Sequence, residues 1–276
     1  MKLLFTTTLL LFGIALSGQY NYGLEVEQRD AKIEEKLNIS DTGENLSIGL
    51  NAGINNDPLN NLGDGEHNVF IGVFSGNKNV SGEGGVYVGY KSGFSNISGH
   101  SNTFIGGKAG EINEIGEGNT YIGAVAGRRN VSSYNTYIGA ASGHLNSLGE
   151  RNTFLGTDTG VFGSGSGNVF IGYSAGNNEA RSALLVIENT SSNQPLIFGE
   201  FDNDRAGINW DSSISLPATL SVNGTLHISE TAKLEPQANV PTCGANDLGL
   251  MYVNAVDSTL YLCKGSLGWK EVMVSP

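Results

Sequence analysis

Residues 119–127 read NTYIGAVAG, and residues 135–143 read NTYIGAASG. The same nine-residue phrase opens again at Asn68, Asn102, Asn152 and Asn168, with a degenerate copy at Gly85 and an outlying one at Asn45. From Asn68 onward the openings are separated by 17, 17, 17, 16, 17 and 16 residues. A fixed period of this kind means one structural unit stacked on itself. Sixteen or seventeen residues are too few for a helix pair or a propeller blade. They suit one coil of a parallel β-solenoid with about 4.8 Å between coils, so eight coils predict a rod about 38 Å long.

The phrase alternates in character. Its second position is Val or Thr, its third is aromatic from Phe70 to Phe170, and its fourth is Ile, Val or Leu. Neighbouring residues on a strand point to opposite faces. The aromatic therefore takes one face, and the second and fourth positions share the other. Both faces are largely apolar, which predicts a strand buried on both sides. An aliphatic a few residues after the phrase (Val80, Ile97, Ile115, Val131, Leu148) predicts a second, shorter strand.

Asn and Gly alternate at the opening position and again three residues past the closing Gly, at Asn56, Asn79, Asn96, Asn113, Asn130, Asn146 and Gly163. These two residue types best tolerate positive φ. The two columns thus predict left-handed bends, where Asn119→Gly would be tolerated and a β-branched residue would not. Stacked Asn side chains can also hydrogen-bond from coil to coil. A thin coil with two apolar faces needs a partner for the outer one, because soluble proteins rarely expose a continuous apolar stripe. Association around an axis parallel to the rod repeats one contact in every layer and closes symmetrically.

The pattern Asn-[Val/Thr]-aromatic-Ile-Gly-x-x-[Ala/Ser]-Gly resembles the head repeats of trimeric autotransporter adhesins and related trimeric bacterial and phage fibre modules. The resemblance covers residues 45–176, about half the chain. It implies a left-handed β-roll, three chains packed as a homotrimer, and an adhesive role. The aromatic stands where those heads usually carry a small residue. The closing KEVMVSP shows no coiled-coil stalk or barrel anchor, so the resemblance reaches the head and not the secretion route.

Around the repeats the organisation is simple. Lys2, an apolar run from Leu3 to Leu16 and the small pair Ser17–Gly18 read as an export signal over residues 1–18. The run is too short for a membrane span, which needs about 20 apolar residues. Residues 19–44 form a polar leader in which EVEQRDAKIEEKLNI has the pattern of a short helix. After Gly176 the period stops. Residues 177–229 read as a β connector with strands at 183–190, 195–201 and 218–228, and 230–276 as a small β module ending in a hairpin near Asp257 and Ser258. The fold class is therefore all-β, a solenoid of about eight coils with a small β-rich C-terminal region.

In an exported chain the two cysteines, Cys243 and Cys263, read as a disulfide. Removing Lys2 with the export signal takes the net charge from −12 to −13. With no basic run beyond Arg128 and Arg129, nucleic acid is not an expected partner. His67, His100, His144 and His227 fall in different registers and do not stack into a metal site. EFDNDR (200–205) offers carboxylates for Ca²⁺ but lacks the later Glu of a full loop, so it reads as a hairpin turn. GSGSG (163–167) has no following Lys-Ser/Thr and reads as a bend, not a phosphate loop. No cofactor, and no catalytic constellation, is expected.

Three functions remain. The first is a secreted structural or adhesive fibre, meeting a surface, matrix or glycan ligand through variable positions such as Lys78, Arg128, Arg129, His144 and Glu150. The second is an ice-binding solenoid, suggested by the row Thr103, Thr120, Thr136 and Thr153. That row is one Thr wide, gives way to Val at 69, 86 and 169, and has aromatic sequence neighbours. The third, a polysaccharide-active β-helix enzyme, lacks any acidic or basic cluster to carry the reaction.

Overall fold

The computed structural model describes residues 44–56, 65–216, 218–227 and, apart from 237, 238 and 248, 236–272. The expected export signal and the helical pattern at 25–39 lie outside these residues. One sheet runs through twelve strands in chain order. They are Leu46–Ile48 (β1), Val69–Ile71 (β2), Val86–Val88 (β3), Thr103–Ile105 (β4), Thr120–Ile122 (β5), Thr136–Ile138 (β6), Thr153–Leu155 (β7), Val169–Ile171 (β8), Leu184–Ile187 (β9), Ile197–Glu200 (β10), Arg205–Ile208 (β11) and Leu220–Val222 (β12). From β1 to β9 each strand pairs in parallel with the next, and like positions face like: Thr120 opposite Thr136, Tyr121 opposite Tyr137, Ile122 opposite Ile138. The protein is a parallel β-solenoid of about nine turns.

The β-branched–aromatic–aliphatic triplet forms the strand, and its middle residue makes the core. The middle aromatic of every triplet, from Phe70 to Phe170, is fully buried. From Phe104 to Phe170 their rings stack with centroids 4.8–4.9 Å apart, the spacing of the strands themselves. Each such pair contributes about 0.5–1.5 kcal/mol beyond its buried area. The closing glycines admit the rings. Gly127, for instance, has φ +55° and lies so close to the Tyr121 ring that a Cβ would strike it.

The Asn columns do a different job from the one their composition suggests. None of the opening Asn residues has positive φ. The left-handed residues are the one before the opening position (His67, Ser101, Tyr134, Arg151) and the seventh of the phrase (Phe74, Lys91, Lys108, Val125). The Asn side chains instead point into the coil. Asn119 is buried, its Oδ1 accepts from the Asn135 backbone N–H at 2.9 Å, and its Nδ2 donates to the Ser132 carbonyl at 2.9 Å. The same pair of bonds climbs through Asn135, Asn152 and Asn168. In the second column Asn79 donates to Asn56 and Asn96 donates to Asn79. The coil-to-coil ladder expected from stacked amides is present; the backbone reason for the columns is not. Asn119→Gly and Asn119→Val should therefore both destabilise, each by about 1–3 kcal/mol, because each strands the buried Asn135 N–H and Ser132 carbonyl. Melting temperatures that leave Asn119→Gly at the wild-type value would restore the backbone account.

Two further expectations change. The second aliphatic forms no strand: Ile97, Ile115 and Leu148 are exposed, although the Ile97 N–H still bonds the Glu114 carbonyl at 2.8 Å. The bend there is too tight, with Gly at 82, 99, 116 and 149 packed against Asn amides, for a strand to extend. The coil pattern also runs past Gly176 by one turn. Leu184 takes the opening position, its N–H donating to Asn168 Oδ1, and Val186 takes the aromatic position. The sheet then reverses into the β10–β11 hairpin, with EFDNDR at its turn, and Val186, Phe198 and Leu216 close that end of the core.

The C-terminal region is a separate antiparallel sheet of Met251–Val253 (β13), Leu260–Cys263 (β14) and Trp269–Glu271 (β15), with the expected turn between β13 and β14. Cys243 and Cys263 are joined as expected, with Cα atoms 5.6 Å apart. Tyr252 stacks on Tyr261 and meets Trp269 edge-on, so aromatic packing and one covalent link supply what so small a sheet cannot bury.

Candidate functional site

Because every coil repeats the same path, each position of the coil draws a strip along the rod. Three strips reach solvent, and they differ in chemistry.

The first is the outer face of the strands. The second and fourth positions are half-buried to exposed in the single chain, with Ile105 37 % and Ile138 39 % exposed. This corrects the expectation of a strand buried on both sides: the coil has room for one ring per layer, and the ring fills it. From β2 to β8 the strip is made of Val, Thr, Ile and Leu, and it carries no charge. Its Thr103, Thr120, Thr136 and Thr153 stand directly opposite one another. The aromatics that seemed to crowd the Thr row lie inside the rod.

The second strip runs from the sixth to the eleventh position, around the bend at the closing glycine. All five Lys and Arg residues between Asn68 and Tyr134 sit here: Lys78, Lys91, Lys108, Arg128 and Arg129. Lys91 and Lys108 hold the seventh position of adjacent coils, linked through Lys91 N–H to Val73 O and Lys108 N–H to Tyr90 O. Lys78 and Lys91 converge on one ring, their ammonium groups 5.4 and 5.3 Å from the centre of Phe94, and Lys91 also lies 5.5 Å from Tyr90. Phe74 meets Phe94 edge-on. Of the expected contact residues, Lys78 and Arg129 are exposed on this strip. Arg128 is half-buried and paired with Glu111, the one acidic residue among the five cations. His144, one coil further, is half-buried; desolvation, with help from Arg128 and Arg129, lowers its pKa and favours the neutral ring.

The third strip lies between the second Asn column and the next opening position. It holds Glu66, Glu83, Glu114, Glu117 and Glu150, so Glu150 stands apart from the other four expected contacts. Glu83 meets His100 at 3.9 Å, and Glu117 accepts from the Tyr134 hydroxyl, a bond that raises the Tyr134 pKa. The cationic strip was missed in the sequence because its lysines are 13 and 17 residues apart. The signal was their position within the phrase rather than their proximity along the chain.

A cleft of 380 Å³ beside the β10–β11 hairpin is lined by Leu185, Glu200, Phe201 and Arg205 among others. Glu200 is buried there and accepts from Ser215 Oγ and the Leu216 N–H. That carboxylate closes the core's end and is occupied in doing so. Among the described residues no three His, Cys, Asp or Glu side chains gather as a metal site, and no helix is long and apolar enough to cross a membrane. No protein-family model, curated protein or solved structure matches the chain, and a functional reading rests on the three strips.

Proposed function

We propose that the chain is an exported structural or adhesive fibre module, whose rods associate side by side as a homotrimer and meet a surface, matrix or glycan ligand through their bends. The observation that carries this reading is the uncharged strand face. Seven successive layers present Val or Thr beside Ile, Val or Leu, in register and half-exposed, on a chain of net charge −12. A second rod of the same pitch matches such a face layer by layer, and the charged strips stay outside the contact. The disulfide supports an oxidising destination. The resemblance to trimeric adhesin heads points the same way.

Multi-angle light scattering on the chain from residue 19 should return the mass of three chains. Replacing Ile105 and Ile138 together by Asp should give monomers with an unchanged circular-dichroism spectrum. Trimers should also bind cells or matrix far better than these monomers, since linked sites raise avidity by about 10² to 10⁴. A monomeric wild type removes the trimer and the packing argument together.

One observation favours a second reading, ice binding. The Thr column is in register on an outward face free of aromatics, and that face cannot serve ice and a partner rod at once. A monomer that shows thermal hysteresis, lost in Thr120→Leu with Thr136→Leu, would establish this reading in place of the first.

A further inference from the structure

We infer that the strip between the sixth and eleventh positions of the first complete coils is a binding edge for a linear anionic polysaccharide, with Lys78, Lys91, Lys108 and Arg129 as its cations and Tyr90 and Phe94 as its stacking surface. The inference deepens the adhesive reading by naming a ligand class, and it does not depend on the number of chains in the assembly.

Three independent features lead to it. The first is segregation. Between Asn68 and Tyr134 the chain has five basic and four acidic residues, and the fold sends every basic one to this edge. Three of the acids, Glu83, Glu114 and Glu117, go to the opposite strip, and the fourth, Glu111, is consumed by Arg128. A chain that is acidic overall thus keeps a cationic line along one edge, where local field focuses an anionic ligand despite the net charge.

The second is the absence of counterions. Lys78, Lys91, Lys108 and Arg129 make no ion pair with any described residue, although carboxylates are in excess on the chain. Lys78 and Lys91 both lean on the Phe94 ring from adjacent coils. Two ammonium groups held over one ring repel each other, and an anion between them relieves that repulsion.

The third is backbone strain. The seventh position is left-handed in all eight coils, with φ between +54° and +60° at 51, 74, 91, 108, 125, 141, 158 and 174. Glycine fits that conformation at least strain, and glycine fills the strained fifth and ninth positions in every coil. Yet among forty glycines in the chain none stands at the seventh position, which holds Asn, Phe, Lys, Lys, Val, Ala, Asp and Ser. A Cβ held at positive φ costs about 1–2 kcal/mol at each residue. Strain kept in this way marks positions whose side chains are needed. Ser174 at this position is buried, whereas Lys91 and Lys108 are half-buried and Lys91 holds its ammonium group over the Tyr90 and Phe94 rings of the edge.

The ligand chemistry follows from the edge. Cations recurring at the coil spacing, interleaved with a half-exposed Tyr90 and Phe94, fit a chain of sugar rings bearing sulfate or carboxylate groups. Aromatic faces stack on the rings while ammonium groups meet the charges. Duplex DNA, with one charge per about 1.7 Å of axis, is a denser polyanion that the acidic remainder of the rod repels.

The full chain is applied to heparin-agarose at low ionic strength, and its affinity for dextran sulfate, neutral dextran and duplex DNA is measured by fluorescence anisotropy. The expected result is retention on heparin that salt reverses, and binding to dextran sulfate but not to neutral dextran. A variant with Lys78→Glu, Lys91→Glu and Lys108→Glu should bind roughly tenfold to a hundredfold more weakly. A control with the same change in net charge, Arg151→Glu, Lys264→Glu and Lys270→Glu, should bind like the wild type. Circular dichroism and melting temperature confirm that both are folded. No retention of the wild type, equal weakening in both variants, or tighter binding to DNA than to dextran sulfate overturns the inference. The broader adhesive reading is scored separately: cell or matrix binding that survives Lys78→Glu, Lys91→Glu and Lys108→Glu leaves it standing while removing the anionic ligand.

Discussion

Tyr137→Ala should lower the melting temperature by roughly 10 °C, the equivalent of about 3–5 kcal/mol in a domain of this size. The ring is fully buried and stacked on both sides, 4.9 Å from Tyr121 and 4.8 Å from Phe154. Truncation removes both stacking contacts and leaves a void that the coil cannot close. The layer height is set by backbone hydrogen bonds at 2.8 Å above and below, as from Thr136 N–H to Asn152 O, and they do not shorten to fill a gap. Tyr173→Ala removes an equally large ring that is 55 % exposed, and should shift the transition little. Thermal unfolding followed by circular dichroism compares the two, and equal shifts would mean that the ring column is not the core.

The second large effect is expected at a residue with no side chain. Gly139 has φ +137°, and a Cβ built on it would overlap the carbonyl of Gly156 in the next coil. Both partners are backbone, so nothing flexible can yield. Gly139→Ala should cost about 3 kcal/mol or more and reduce the yield of soluble protein. Gly107→Ala, next to the equivalent glycine two coils earlier, meets nothing within 4 Å and should be neutral. Chemical-denaturation midpoints of the two variants decide the matter. A neutral Gly139→Ala would show that adjacent coils can move apart without loss.

Much of the architecture was legible because a repeat states its own periodicity. The strand triplet, the inward ring, the coil-to-coil amides and the Cys243–Cys263 link all follow from residue type and spacing. What misled was the equivalence of Asn and Gly. Both tolerate positive φ, so their exchange at the opening position suggested a backbone constraint. At Gly85 the cause is spatial instead: a Cβ there would strike the ring of Tyr87, which tilts by 42° against Phe104 where its neighbours lie flat. The positions that are left-handed carry Phe, Lys and Val, residues from which no reader would infer positive φ. The cationic edge was hidden for a related reason. Charge runs are sought among neighbours in sequence, and a solenoid makes neighbours of residues one coil apart.

That same neighbour relation bears on how the rod can be assembled and lengthened. Parallel sheets usually join distant parts of a chain and form slowly. Here β2 to β9 pair residues only 16 or 17 apart, as Thr120 does with Thr136 and Val86 with Thr103. Once two coils have met, each further coil can dock on a finished template, in the manner of a one-dimensional array that grows from any nucleus. Length is then a modular quantity. Excising residues 119–134 as a block would bring Asn135 onto Asn102 and Tyr137 onto Phe104, with every ladder rejoined and the rod one layer shorter. A gene encoding such a chain can change the reach of its product by whole coils through duplication or loss, without any other residue having to change.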